Sequence, residues 1–302
     1  MTKDIPRTLT IFAPAKINLF LHITGRLSNG YHTLDSLVTF ADIGDIITIE
    51  PASSFSFHIK GPFADTFKNE ERSAFLNGEN IVIKAARSLS QIADRPLNTH
   101  ITLTKNLPLS SGLGGGSSDA AATIWGLQKL WNLKHDADYI IPLMTKLGAD
   151  VPVCLNCYPT IMQGIGDILR PAPTMPEIPI LLINPMISCS TKDIFLHHNK
   201  QYKTNITLPK AFPTIASVEN ILNALDNDLF KPALELIPEI GNVMNALTAQ
   251  KHCLFSRMSG SGASCFGLFE TIEHAESAAE TIKRENPDWW IKSGWLNRPE
   301  RY

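Results

Sequence analysis

Cysteine is scarce in this sequence: five in 302 residues. A sparse, odd set does not build a disulfide scaffold and fits a reducing compartment, so a cytoplasmic location is the expectation. Cys154 and Cys157 form a single CxxC. With no second pair and no histidine pair at metal-ligand spacing nearby, they read as buried thiols. A surplus of charge is also missing. The 27 Lys and Arg against 29 Asp and Glu leave a net charge of −2. That gives no broad electrostatic case for nucleic acid or an acidic membrane as partner. No apolar run approaches the roughly 20 residues that span a bilayer. "INLFLHI" (17–23) is short and preceded by Lys16, so with Lys3 and Arg7 it does not read as a signal peptide. There is no internal repeat and no low-complexity tract.

What is present is core material. Apolar residues make up 44% and charged residues 19%, which excludes a disordered chain. The length suits one large or two ordinary domains. Proline clusters at 171–179 ("PAPTMPEIP"), the best candidate linker. The expected division is therefore 1–170 and 171–302.

Alternation predicts strands at 8–13, 17–23, 45–50 and 55–60, with an Asn-Gly turn in "SNGYH" (28–32). Residues 80–93 have helical spacing, with Ile81, Ala85, Leu89 and Ile92 on one side. A strand over 99–109 is closed by Pro108. Helices follow over 118–132 and 137–150, the second ending near Gly148. Beyond the prolines come a strand at 178–184 and helices across roughly 190–250. A closing unit holds the glycine-rich "LFSRMSGSGASCFGLFE" (254–270), a helix over 272–285 and a strand near "WWIKSGW".

"PLSSGLGGGSSDAA" (108–121) packs four glycines and four serines between a strand and a helix. A flexible joint should separate two self-contained segments; here the strand feeds the loop and the loop feeds a helix N-terminus. Unpaired N–H groups and the positive end of the helix dipole suit a phosphate there. Glycines let an anion approach the backbone. The stretch lacks the lysine of a Walker A loop. Ser117 stands where a dinucleotide fingerprint needs its last glycine.

The stretch resembles the second motif of the GHMP kinases, the family of galactose, homoserine, mevalonate and phosphomevalonate kinases. "APAKINLFLHITGRLSNGYHTLDSL" (13–37) resembles the family's first motif and "RMSGSGASCFGLF" (257–269) its third. "PAKINLFL", "GYHTLDSL", "GLGGGSSDAA" and "LGADVP" are most similar to the branch that phosphorylates 4-diphosphocytidyl-2-C-methyl-D-erythritol in the non-mevalonate isoprenoid pathway. The resemblance covers most of the chain and is weakest over about 200–250.

The resemblance implies a two-domain α+β fold. Its N-terminal part is ribosomal-protein-like, its C-terminal part ferredoxin-like, and the site lies in the cleft between them. It implies ATP on Pro108, Leu109, Ser110, Ser111, Gly112, Leu113, Gly114, Gly115, Gly116, Ser117 and Ser118, with Lys105 and Asn80 near the nucleotide. Asp150 and Lys16 become the catalytic pair: a carboxylate can accept the attacking hydroxyl's proton, and a lysine makes the alkoxide less costly. Read alone, Asp150 is a turn residue and Lys16 an exposed strand lysine. Asn18 would contact the acceptor near its reacting end. Tyr31 and Phe195 would sandwich the cytosine and His32 would read its edge; read alone, these are a hairpin flank and helix packing. Ser259 to Ser264 would support the site and the acceptor's diphosphate; a plain hairpin is the alternative. Mg²⁺ is implied by ATP. Ser117 or Ser118 are candidate ligands, and no acidic ligand aligns. The chain is expected to act as a monomer or weak homodimer. The rivals are a kinase of another small acceptor, a nucleotide-binding regulator without chemistry, and an RNA-binding module.

Overall fold

The computed structural model describes residues 8–67, 80–133 and 137–298; Lys3 and Arg7 lie outside them. Its elements are, in order, β1 (Leu9–Arg26), β2 (His32–Pro51), β3 (Ser56–Lys60), α1 (Ile81–Ile92), β4 (Thr99–Thr104), α2 (Gly115–Leu130), α3 (Ala137–Leu147), α4 (Val153–Asn156), β5 (Thr160–Gly164), β6 (Ile168–Pro171), β7 (Ile178–Asn184), α5 (Thr191–Leu196), α6 (Ile215–Asn223), α7 (Phe230–Leu236), α8 (Glu239–Thr248), β8 (Cys253–Met258), β9 (Cys265–Phe269), α9 (Ile272–Glu285) and β10 (Trp290–Leu296). The architecture is the expected α+β.

The strands run β3-β4-β2-β10-β7-β9-β8, with β1 and β5 also on β2, and β6 on β5. All pairings are antiparallel except β3 with β4. Leu296 of β10 meets Ala41 of β2 and joins the two parts of the sheet. β1 feeds both cores. Ile11 and Ala13 pack with α1 and α2 residues such as Leu89 and Ile124. Ala15, Ile17 and Leu19 pack with Ile180, Leu182 and Phe266. Strand alternation then turns Lys16 and Asn18 to the opposite face.

Several expectations need correction. The two strands expected at 8–13 and 17–23 are one strand, and Pro14 does not break it because the ladder shifts register there by a bulge. β4 ends at Thr104, four residues before Pro108: Lys105 N still donates to Lys60 O, but Asp45 captures the backbone N–H groups of Asn106 and Leu107. The buried face of α1 is Val82, Ile83, Ala85, Ala86 and Leu89, whereas Ile92 is exposed. Asn80 caps that helix, its side chain accepting from Val82 N, and this cap sets the helix phase. α2 starts at Gly115, so the last glycines are helix and not loop. Between α5 and α6 the chain is irregular rather than helical; within it Ile206 N donates to the buried Asp35 carboxylate (2.6 Å) and Lys203 N to Ile23 O. The proline-rich connector is pinned at Thr174, whose carbonyl accepts from Phe212 N.

Candidate functional site

The glycine stretch is held open by its neighbours. Gly114 caps α2 in the left-handed conformation (φ 61°) with no side-chain cap, and an added Cβ would lie 3.0 Å from Lys16 Cβ. Only glycine suits both demands. Ser118 N donates to Gly114 O, which leaves the N–H groups of Gly115, Gly116 and Ser117 as the unpaired donors of the helix end. Gly112 is also left-handed (φ 75°), and a Cβ there would lie 2.5 Å from Ser259 O. The third motif therefore braces the second. Ser259 Oγ donates to Gly112 O (3.2 Å) and accepts from Asn18 N (3.1 Å), while Ser264 N donates to Ser111 O.

Lys16 is buried on β1. Its backbone N donates to Leu113 O, and its ammonium lies 3.2 Å from Asp150 Oδ2 and 3.0 Å from Asn18 Oδ1. Asn18 in turn donates to Ser36 Oγ (2.8 Å), which donates to Phe20 O. The Asp150 side chain is 36% exposed and sits in the turn after α3, where Val151 N donates to Gly148 O. A carboxylate open to the cavity thus stands beside a buried cation that cannot swing away.

A second ionic group was not foreseen. Lys105 Nζ lies 2.5 Å from Asp45 Oδ2 and 2.8 Å from Asp119 Oδ2, all three buried. Asp45 Oδ1 accepts from Asn106 N (2.6 Å) and Leu107 N (2.9 Å), fixing the approach to the glycine loop. Burial works against the Lys105 charge, but Asp119 and Asp45 outweigh it and hold its pKa above the ordinary value. Burial, aided by the Asp45 charge and opposed by Lys105, pushes the Asp119 carboxyl up to about 8. Asp119 Oδ1 is buried with no partner. Of this group the sequence resemblance pointed only to Lys105, as a residue near the nucleotide; Asp45 and Asp119 carried no signal.

At the far end, Leu27 N donates to Tyr31 O and Asn29 Oδ1 accepts from Tyr31 N, closing the Asn-Gly hairpin. Tyr31 projects from it, 61% exposed. The His32 and Phe195 rings are 5.5 Å apart and tilted 34°. His198, not foreseen, stands edge-on to His32 at 5.9 Å and stacks on Tyr202 at 6.1 Å. Burial, then the charges of Arg26 and His198, lower the His32 pKa.

One cavity of about 1170 Å³ gathers these groups. Lys16, Asn18 and Asp150 line it, as do Asn80, Lys105 and Asp119. Pro108 to Gly112 and Gly114 to Ser117 form one wall; Tyr31, His32 and Phe195 form another. Gly260 and Ser261 of the third motif reach the lining too. Leu113 and Ser118 do not. Leu113 packs in the second core, and Ser118 Oγ is buried without a partner. The CxxC cysteines are buried, as expected, and Cys157 Sγ donates to Cys154 O at 3.2 Å. Among the described residues no helix is long and apolar enough to cross a membrane.

The family pattern described as "GHMP kinases N terminal domain" matches residues 80–158, and "GHMP kinases C terminal" matches residues 210–288. A protein of Paramagnetospirillum magneticum named 4-diphosphocytidyl-2-C-methyl-D-erythritol kinase is 41% identical over 289 residues, covering 96% of this chain and 99% of its own. A protein of Cereibacter sphaeroides with the same name is 44% identical over 284 residues, covering 93% and 96%. A crystal structure of 4-(cytidine 5'-diphospho)-2C-methyl-D-erythritol kinase superposes with a TM-score of 0.76 at 31% identity, covering 96% of this chain and 100% of the other. The fold is shared more distantly with a crystal structure of L. major mevalonate kinase, at a TM-score of 0.66 and 13% identity over the full length of both chains.

Proposed function

The chain belongs to the GHMP kinase family, and from that premise we propose that it transfers the γ-phosphoryl group of ATP to the 2-hydroxyl of 4-diphosphocytidyl-2-C-methyl-D-erythritol. The observation that carries this reading is the Lys16–Asp150 pair, set in one cavity with the glycine-rich helix end and the aromatic group. Phosphoryl transfer asks the protein for positioning and charge stabilisation. The free N–H groups of Gly115, Gly116 and Ser117 take phosphate oxygens. Asn18 orients the acceptor's reacting end. As its hydroxyl oxygen bonds to the γ-phosphorus, the proton passes to Asp150 and the bond to ADP breaks. The fixed Lys16 ammonium stabilises the developing alkoxide. Tyr31 and Phe195 stack on the cytosine and His32, kept neutral, reads its edge.

Mg²⁺ belongs to the same proposal. Asp119 Oδ1, buried and without a partner beside the loop, and the Ser117 hydroxyl on the same wall are hard oxygen donors that fit it. These two residues would hold the ion, which when bound neutralises phosphate charge. Lys105 then acts by orienting Asp119. The division at 170/171 is retained: the phosphate loop and the catalytic pair fall on the first part, α5 and the third motif on the second. Every group invoked lies on one chain, which suits a monomer or weak homodimer. Cysteines that form no disulfide among the described residues suit a cytoplasmic enzyme. ADP release measured with a panel of acceptors tests the reading. The cytidine-bearing acceptor should turn over, while mevalonate, homoserine and galactose should give little signal. Robust turnover of one of those three, with none for the cytidine-bearing acceptor, would leave the family standing and overturn the assignment.

A further inference from the structure

Behind the aromatic wall of the cavity lies a second row. His32 and Phe195 line the cavity, whereas His198 is buried and, among the described residues, is not part of the lining. Its ring nevertheless meets the His32 ring at 5.9 Å with the planes 77° apart. Both ring contacts on His32 come from one short stretch: Phe195 lies in the last turn of α5, and His198 N donates to Phe195 O just past its end. The two contacts differ in kind. Phe195 meets His32 tilted by only 34°, and His198 meets it nearly at right angles. A ring held between two neighbours of different orientation cannot turn about its Cβ–Cγ bond without losing one of them.

His198 is itself fixed. Its Nδ1 accepts from Lys200 N at 3.3 Å, which puts the ring proton on Nε2, and Tyr202 stacks on it. Burial, opposed by Asp228 and aided by Lys203, lowers its pKa, so a neutral ring faces His32 at neutral pH. The chain beyond is anchored to the two strands that form the hairpin. Lys203 N donates to Ile23 O on β1, and Ile206 N donates to Asp35 on β2, the strand that also carries His32. The irregular segment after α5 thus holds one buried ring against the back of His32.

We infer that His198 is a positioning residue for the base: acting through His32, without touching the acceptor, it fixes the plane in which His32 presents its nitrogens and so sets the preference for cytosine over uracil. The inference rests on the proposed acceptor. Cytosine offers an amino donor where uracil offers a carbonyl acceptor. A reader held in one orientation tells them apart; a reader free to turn satisfies either.

The test compares kcat/KM for the cytidine-bearing acceptor with that for its uridine counterpart at saturating ATP. The wild-type protein should favour cytosine by roughly tenfold or more, the worth of one hydrogen bond to a buried edge. His198→Leu keeps the space filled but removes the ring. It should raise KM for the cytidine-bearing acceptor more than it lowers kcat, leave KM for ATP unchanged, and bring the two acceptors close together. His198→Phe restores a ring and should restore the ratio. A purely structural role would lower the melting temperature of His198→Leu and weaken both acceptors alike. A ratio kept in His198→Leu, or not recovered in His198→Phe, would overturn the inference alone. If the wild-type protein turns over both acceptors equally, base reading by His32 falls and this inference with it; if it turns over neither, the proposed acceptor falls as well.

Discussion

Asp150 and Lys16 separate chemistry from stability at the level of single residues. Asp150 is part exposed, and Lys16 keeps Asn18 as a partner when the carboxylate becomes an amide. Asp150→Asn should therefore unfold at the wild-type temperature and bind ATP normally, yet lose roughly 10²–10⁴ in kcat, the usual worth of a placed general base. Steady-state kinetics beside a thermal melt check both halves. Lys16→Met should also lower kcat, and the double variant should lose less than the product of the two if both act on one proton. Lys105 behaves oppositely. Lys105→Met leaves two buried carboxylates without their cation, and breaking such a group costs about 3–5 kcal/mol. A urea titration should show that loss, whereas wild-type stability would mean that Lys105 serves only the nucleotide.

Elements built on local signals were legible in advance, and elements shaped by distant contacts were not. The hairpin at Asn29–Gly30, β7, and α9 with its Thr271 cap follow from turn chemistry, alternation and capping within a few residues. β1 misled because Pro14 and Lys16 look like interruptions, while the bulges that absorb them are set by β2. The irregular segment before α6 takes its shape from Asp35 and Ile23, far away in sequence. The glycine loop combines both kinds of cause, and two substitutions separate them. At Gly116 an added Cβ meets nothing closer than 3.7 Å, from Ile81. Gly116→Val should keep the melting temperature and lose ATP affinity by blocking phosphate. At Gly112 the brace from the third motif leaves no room. Gly112→Ala should lower the melting temperature and ATP affinity together. Melts and nucleotide titrations of both variants measure this; a destabilised Gly116→Val would make the whole stretch structural.

Across the whole molecule, β1 is clipped to the second half of the chain. Leu21 N donates to Asp226 O and Asp228 N donates to Leu21 O. Lys203 bridges Asp226 and Asp228 at 2.9 and 2.7 Å, and Asn227 Nδ2 donates to Met258 O and Gly260 O at the third motif. His22 sits in this clip, its Nε2 accepting from Asp226 N at 3.3 Å. Burial, then Lys203, lowers its pKa against the pull of Asp228, Asp226 and Asp35. The unfolded chain therefore binds this proton more tightly. The histidine's contribution is present above the ordinary value of about 6.5 and is lost as pH falls through the lowered native value. Urea midpoints followed from about pH 7.5 down to 5 should fall more steeply for the wild type than for His22→Gln; parallel slopes would remove His22 from the account. Neither this clip nor the Asp45–Lys105–Asp119 group was readable beforehand, because each joins residues that only the folded sheet brings together. The pair proposed as catalytic was readable only through the family resemblance, since Lys16 and Asp150 lie far apart in the chain and meet through β1 and the turn after α3. The most direct test of the account is ³¹P NMR of a reaction mixture containing ATP, Mg²⁺ and the cytidine-bearing acceptor. A phosphomonoester resonance on the acceptor, growing in step with ADP and absent with Asp150→Asn, is the predicted result; ADP accompanied only by inorganic phosphate, with the acceptor unchanged, would contradict it.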